Sequence, residues 1–275
     1  MRKLCGLLAI FLLLFLLPAG AEGSRPMAEV VFLPGGKADA AIIMTKNSTV
    51  LIDAGTNKMG KGIVAFLKER GIGRVDVLFI THFDKDHVGG ADQVLNALPV
   101  DLVIEPDYEK ESRQRSQYLA ALAASPDTRL ETLSKNVGLD LDGLHYDIDV
   151  ANAAYYGEDE ENDFSLVIRM IAGEASFLFA GDAESMRLAE LMREGNLKSD
   201  FLKVPHHGRI DKLSAAFFRA VGARYAVITS DEKNPEDASV LSLLHGLGTE
   251  VYLTRRGKVT ALTDGKNIEM RQEKP

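Results

Sequence analysis

The chain of 275 residues is almost without cysteine, Cys5 being the only one. Cys5 lies within an N-terminal apolar run. For the rest of the chain a disulfide scaffold, a cysteine nucleophile and a thiolate metal site are all excluded. Any metal must be held by His, Asp and Glu. Beyond Leu17 no apolar run approaches the roughly 20 residues that a membrane span requires. There is no Gly-x-Ser-x-Gly elbow to present a nucleophilic serine, and no internal repeat or low-complexity segment. Positive charge is in deficit, with 32 Lys and Arg against 40 Asp and Glu and a formal net charge of −8. Proteins that bind long nucleic acids draw affinity from a basic surface that displaces counterions. The acidic balance weighs against such binding, while leaving room for a local basic patch or a small phosphorylated substrate.

The N-terminus has its own order. Arg2 and Lys3 precede the apolar run Leu4 to Leu17, Pro18 ends it, and Ala19-Gly20-Ala21 supplies small residues. That is the layout of a secretory signal. Residues 1–21 are expected to be a signal peptide and residues 22–275 one mature domain. The expected location is secreted or periplasmic, with no stable membrane insertion after cleavage. The composition is 46% hydrophobic and 26% charged, which is ordinary for a globular protein and excludes a disordered one.

Patterning along the chain predicts an α/β domain. Val30 to Leu33, Ala40 to Met44 and Thr49 to Ile52 read as strands, and Gly62 to Arg70 as a helix. Val75 to Ile80 is nearly all apolar and β-branched, the mark of a strand buried on both faces. A helix from Gly89-Gly90 to Leu98, a short strand at Leu102 to Glu105 and a helix from Glu109 to Ala124 follow. Leu130 to Ala154 reads as alternating short strands and turns, and Gly157 to Asp163 as an acidic loop. A hairpin at Phe164 to Met170 and Ser176 to Phe179 precedes a helix from Ser185 to Glu194. Further strands are expected at Phe201 to Val204, Tyr225 to Thr229, Glu250 to Thr254 and Val259 to Leu262. Between them lie helices at Ser214 to Val221 and Ala238 to Leu247.

Candidate chemistry collects at strand ends, at Asp53, His82 to His87, Asp182 and His206-His207. Directly after Val75 to Ile80 comes His82-Phe83-Asp84-Lys85-Asp86-His87. Ionisable side chains converging there without a cation would suffer repulsion and desolvation, a cost that a divalent metal removes. Imidazole and carboxylate together suit zinc, manganese or iron. Asp182 and His206-His207 each follow an apolar strand, where a charge needs a partner. A carboxylate at that place can bridge two metals, and a histidine can complete the second site. Water bound between two metals becomes a hydroxide near neutral pH, able to attack a carbonyl or phosphoryl centre.

Taken together these residues resemble the metallo-β-lactamase fold. Its usual first motif is His-x-His-x-Asp-His, and Asp84 stands at the second His. That change resembles the branch containing the C-terminal domain of ComEC-type competence proteins. So do Val31-Phe32-Leu33 leading to Asp39-Ala40, and Leu51-Ile52-Asp53-Ala54-Gly55. Phe177-Leu178-Phe179-Ala180-Gly181-Asp182-Ala183 and Leu202-Lys203-Val204-Pro205-His206-His207-Gly208 extend the likeness. Arg209 departs from the Ser usual in that branch.

The resemblance implies an αββα sandwich and a metal-dependent hydrolase with two divalent ions, zinc or manganese. By motif position His82 and Asp84 serve the first metal, and Asp86 and His87 the second. Asp182 bridges, and His206 is preferred over His207 as the added ligand because it directly follows the strand and its Pro. The chemistry itself falls to Asp86 and His207, with His207 placed to touch the substrate. The expected substrate is a phosphodiester or another phosphorylated small molecule, with Lys203 and Arg209 flanking the His pair. The alternatives are a carbonyl hydrolase of lactonase type and a non-catalytic metal-containing binding protein.

Overall fold

Strands that are apolar on both faces need cover on both sides, and here they receive it from two stacked sheets with helices outside. The computed structural model describes residues 26–153, 156 and 161–274. The expected signal peptide therefore lies outside the described residues. In chain order the strands begin with β1 (Ala28–Phe32), β2 (Ala41–Met44), β3 (Thr49–Ile52), β4 (Val75–Phe79), β5 (Val100–Pro106) and β6 (Arg129–Leu133). There follow β7 (Val137–Leu141), β8 (Leu144–Asp149), β9 (Val167–Ala172), β10 (Ala175–Phe179), β11 (Phe201–Lys203) and β12 (Tyr225–Ile228). The last three are β13 (Glu250–Leu253), β14 (Val259–Thr263) and β15 (Ile268–Gln272). One sheet has the order β15-β14-β1-β2-β3-β4-β5-β6, the other β13-β12-β11-β10-β9-β8-β7.

Side chains alternate between the faces of each strand, and the buried residues sort into three layers accordingly. Val30 and Phe32 of β1 join Phe79, Tyr146, Ile168, Phe177 and Phe201 between the sheets. Val31, from the other face of β1, packs with Ile63, Leu67, Val94 and Tyr118. These belong to helices α1 (Asn57–Glu69), α2 (Ala91–Ala97) and α3 (Arg113–Ala123). On the far side Leu178, Leu202 and Ala226 pack with Leu188, Phe217 and Val240. Those come from α4 (Ser185–Glu194), α5 (Ser214–Val221) and α6 (Ala238–Gly246). The result is the expected αββα sandwich.

Several boundaries differ from the sequence expectation for local reasons. Helix α1 starts at Asn57, five residues before the expected Gly62, because the Thr56 side chain caps it by accepting from Met59 N at 3.3 Å. Its Gly60 is needed where α1 meets α2, since a Cβ there would lie 2.5 Å from the Gly90 carbonyl oxygen. Helix α3 starts at Arg113, where Ser112 caps Arg115 N at 3.1 Å. The expected hairpin strand from Phe164 begins at Val167, because Glu161–Phe164 forms a 3-10 turn. Strand β15 was not expected at all. It is a half-exposed edge strand rich in polar residues, so it carries little apolar signal.

Candidate metal centre

The loops that follow β3, β4, β10, β11 and β12, together with the one between β1 and β2, bring the candidate residues to one place. Asp53 follows β3 and His82 to His87 follow β4. Asp182 follows β10, and Pro205–Gly208 forms a 3-10 turn after β11. Asp53, His206 and His207 hold left-handed backbone conformations, with φ of 60°, 46° and 50°. Such values are uncommon outside glycine and tend to gather at functional sites.

His82 and His87 are fully buried, and His207 and Asp182 are nearly so. The His82 and His87 ring centroids lie 4.0 Å apart, and those of His87 and His207 5.3 Å apart. Each imidazole is held from behind at Nδ1. His87 Nδ1 donates to Asp53 at 2.8 Å. Asp53 also accepts from the Thr81 hydroxyl at 2.7 Å and from the Thr81 amide at 2.8 Å. The Thr81 hydroxyl proton is thereby committed to Asp53, so its oxygen accepts from His82 Nδ1 at 3.1 Å. His207 Nδ1 donates to the Thr229 carbonyl at 3.1 Å. With Nδ1 tied back in all three rings, Nε2 is the nitrogen of each that faces forward.

Those forward atoms are the ones without hydrogen bonds. His82 Nε2, His87 Nε2, His207 Nε2 and Asp182 Oδ1 are buried and lack a hydrogen-bond partner. Asp182 sits among them, with Oδ1 3.2 Å from His87 Nε2 and Oδ2 3.1 Å from His207 Nε2. Asp86 Oδ2 lies 3.6 Å from His207 Nε2. The ligand atoms of His82, His87 and Asp182 lie within 4.8 Å of one another, as do those of Asp86, His87 and His207. Converging imidazole nitrogens and carboxylate oxygens in a buried place fit a divalent cation. Two further triads include Asp39, with Asp182 and His207 in one and with Asp53 and His87 in the other. Asp39 meets His207 and His87 at Nδ1, at 3.3 and 4.0 Å, on the rear of both rings.

The electrostatics describe a site short of positive charge. Burial opposes charge on His87, yet Asp182 and Asp53 outweigh it and raise its proton affinity well above the ordinary value. His207 is raised in the same way, against burial, by Asp182 and Asp39. His82 is pushed down to about 4 by burial and by the neighbouring His87. Burial opposes charge on Asp182, but His207 and His87 hold it well below the carboxylate range. The carboxylates around His87 and His207 thus favour positive charge at the place where a divalent ion would supply it.

Two expected ligands are not brought into this cluster. Asp84 turns to Lys110 Nζ at 2.5 Å, and Lys110 also pairs with Glu161. His206 turns to Glu184, with Nδ1 2.7 Å from Oε1. The two cations expected to flank the His pair are also engaged elsewhere. Lys203 is buried in an ion pair with Asp39, and Arg209 lies 3.5 Å from Asp237. The cations at the rim are instead Lys37, 3.3 Å from Asp86, and Lys110. The sequence reading placed no role on Thr81, Thr229, Lys37 or Lys110, and none on Asp39 beyond the family likeness. The signal available was a charged residue at the very start of an apolar strand, as Asp39 is before β2.

Comparison with known proteins agrees with this architecture. The family model for the Metallo-beta-lactamase superfamily matches residues 33–229. Competence protein ComA of Neisseria gonorrhoeae is 29% identical over 234 residues, which cover 80% of this chain and 30% of that protein. ComE operon protein 3 of Bacillus subtilis (strain 168) is 27% identical over 252 residues, covering 82% and 30% respectively. The chain therefore spans about 30% of the length of these curated relatives. Among solved structures, Igni18, a metallo hydrolase from the archaeon Ignicoccus hospitalis, superposes with a TM-score of 0.54 at 15% identity, covering 84% of this chain and 98% of that one. The chain belongs to the metallo-beta-lactamase superfamily.

Proposed function

We propose that this chain is an exported metal-dependent hydrolase of phosphodiester or related phosphorylated substrates. One observation carries the metal reading: three buried Nε2 atoms, each turned forward by a partner at Nδ1, converge on Asp182. The superfamily consists generally of metal-dependent hydrolases, often with two divalent ions. In this reading His82, Asp86, His87, Asp182 and His207 would hold two ions, zinc or manganese. His87 offers one free nitrogen and so serves one ion. Asp182, with one oxygen toward His87 and the other toward His207, would be placed to serve both ions. His207 takes the place expected of His206, and Asp84 stays with Lys110. The bound ions would supply Lewis acidity and an activated water.

The chain's own residues do the rest. Asp53, Thr81 and Thr229 fix the rings before any ion arrives, so little reorganisation is required on binding. Lys37 and Lys110, part-exposed beside Asp86 and Asp84, are placed to meet an anionic substrate. The name of one relative, competence protein ComA, concerns competence and supports a phosphodiester. Export rests on the leader pattern of residues 1–21. Among the described residues no helix is long and apolar enough to cross a membrane.

The test uses purified residues 22–275. Bound metal is measured, and turnover of a chromogenic phosphodiester, a lactone and a cephalosporin is compared with manganese and with zinc. Stoichiometric metal and preferential phosphodiester cleavage are expected. Asp182→Ala should lose more than the roughly 10- to 100-fold that an outer-shell change costs. Preferential lactone cleavage would reassign the substrate, metal without turnover would indicate a binding protein, and absence of stoichiometric metal would overturn the reading.

A further inference from the structure

Behind the candidate metal centre lies a buried ion pair that the chemistry above leaves unused. Lys203, the last residue of β11, is 3% exposed and lies beside Phe179 of β10 in the sheet register. Its ammonium pairs with Asp39 and donates to the Gly181 carbonyl at 3.4 Å. That same carbonyl accepts from His206 N at 3.2 Å. The Gly181-Asp182 turn is thus tied to the His206-His207 turn through one oxygen atom.

Asp39 uses both of its oxygens. Oδ1 accepts from the Thr229 hydroxyl and lies 3.3 Å from His207 Nδ1. Oδ2 meets Lys203 and lies 4.0 Å from His87 Nδ1. Both approaches are from the rear of the rings, so Asp39 backs His207 alongside Thr229 and does not compete for the forward space. A buried ion pair generally adds little stability over an apolar pair of the same volume. Stability therefore gives no sufficient reason for this one. Geometry does, because a carboxylate behind a ligating imidazole fixes its tautomer and angle. Without a cation beside it, however, Asp39 would be a third buried carboxylate close to Asp53 and Asp182.

We propose that Lys203 is a positioning residue for the metal centre. It holds His207 through Asp39, and the Asp182 turn through the Gly181 carbonyl. This inference rests on the metal-centre reading and adds to it an anchor reaching across three loops.

The experiment compares wild type, K203M, D39N and the double variant D39L/K203M. Zinc affinity is measured by competition with a chromophoric chelator, and melting is followed in the chelated protein. K203M leaves Asp39 buried and unpaired, so it should lower both metal affinity and the melting temperature of the metal-free chain. The double variant removes both charges. It should recover the metal-free melting temperature while its affinity stays about 10- to 100-fold below wild type. Should K203M fail to fold, the double variant carries the test. A double variant that binds zinc as tightly as wild type would overturn the inference and leave the metal centre standing. Wild type that binds no zinc would overturn both.

Discussion

His206 and His207 are neighbours with opposite circumstances. His206 is part-exposed against Glu184, while His207 is buried against Thr229, Asp39 and Asp182. Two successive left-handed residues turn the chain back on itself, so the ring that enters the cluster is the second and not the one adjoining the strand. His207→Ala should therefore strip bound metal and reduce kcat/KM by more than about 100-fold, beyond the outer-shell range. His206→Ala should leave metal content unchanged. Elemental analysis of the two purified variants decides the matter, and the reverse order would return His206 to the ligand set. The adjacent pair was legible in the sequence as metal-capable. The choice between its members was not, because it depends on backbone dihedrals that neither side chain announces.

At the scale of elements, helix α4 shows how far a polar residue can be drawn into the core. Arg187 is fully buried. It pairs with Asp149 at the end of β8 and lies 3.2 Å from Glu190 one turn on. Its guanidinium also donates to the carbonyls of Asp149 at 2.8 Å and Ser165 at 3.3 Å. It thereby links α4 to the far strands of its sheet. Arg187→Met should cost about 3–5 kcal/mol, because it leaves buried Glu190 and part-buried Asp149 without their cation. A urea midpoint shift at unchanged slope would show this, and a midpoint within error of wild type would refute it. Helix α4 itself was readable from its apolar period and from Gly195 at its C-terminus. The burial of Arg187 was not, since an Arg at helical spacing ordinarily marks a solvated face.

For the whole molecule, the metal-free and metal-loaded states should respond differently to pH. His87 and His207 have folded values raised above the ordinary 6.5. Their contribution is fully present below the unfolded value and is lost as pH rises through the folded ones. His82, pushed down to about 4, acts in the opposite sense, and its contribution is lost as pH falls below 6.5. Chelated protein should therefore be most stable near neutral pH and should weaken on the alkaline side. A divalent ion displaces the protons from His87 and His207, so its affinity should rise with pH. The gap in melting temperature between loaded and chelated protein should widen accordingly. Ligand linkage sets its scale, about 2.7 kcal/mol at 100 times the dissociation constant. A gap independent of pH would contradict the assignment of these two histidines as ligands.

By itself, the sequence determined the class of fold and the kind of site. Composition and periodicity are local properties. They gave the alternation of strands and helices, the strands buried on both faces, the lack of thiols beyond Cys5 and the placing of His and Asp at strand ends. The tertiary structure alone decided which of those side chains meet. Asp39 joins Thr229 across 190 residues of chain, and Lys203 faces Asp39 only because two sheets stack with their loops at one edge. Asp84 was drawn away by Lys110, a residue 26 positions on, through a contact that no spacing rule contains. The membership of the cluster is a property of packing between distant loops, and local pattern carries no record of it.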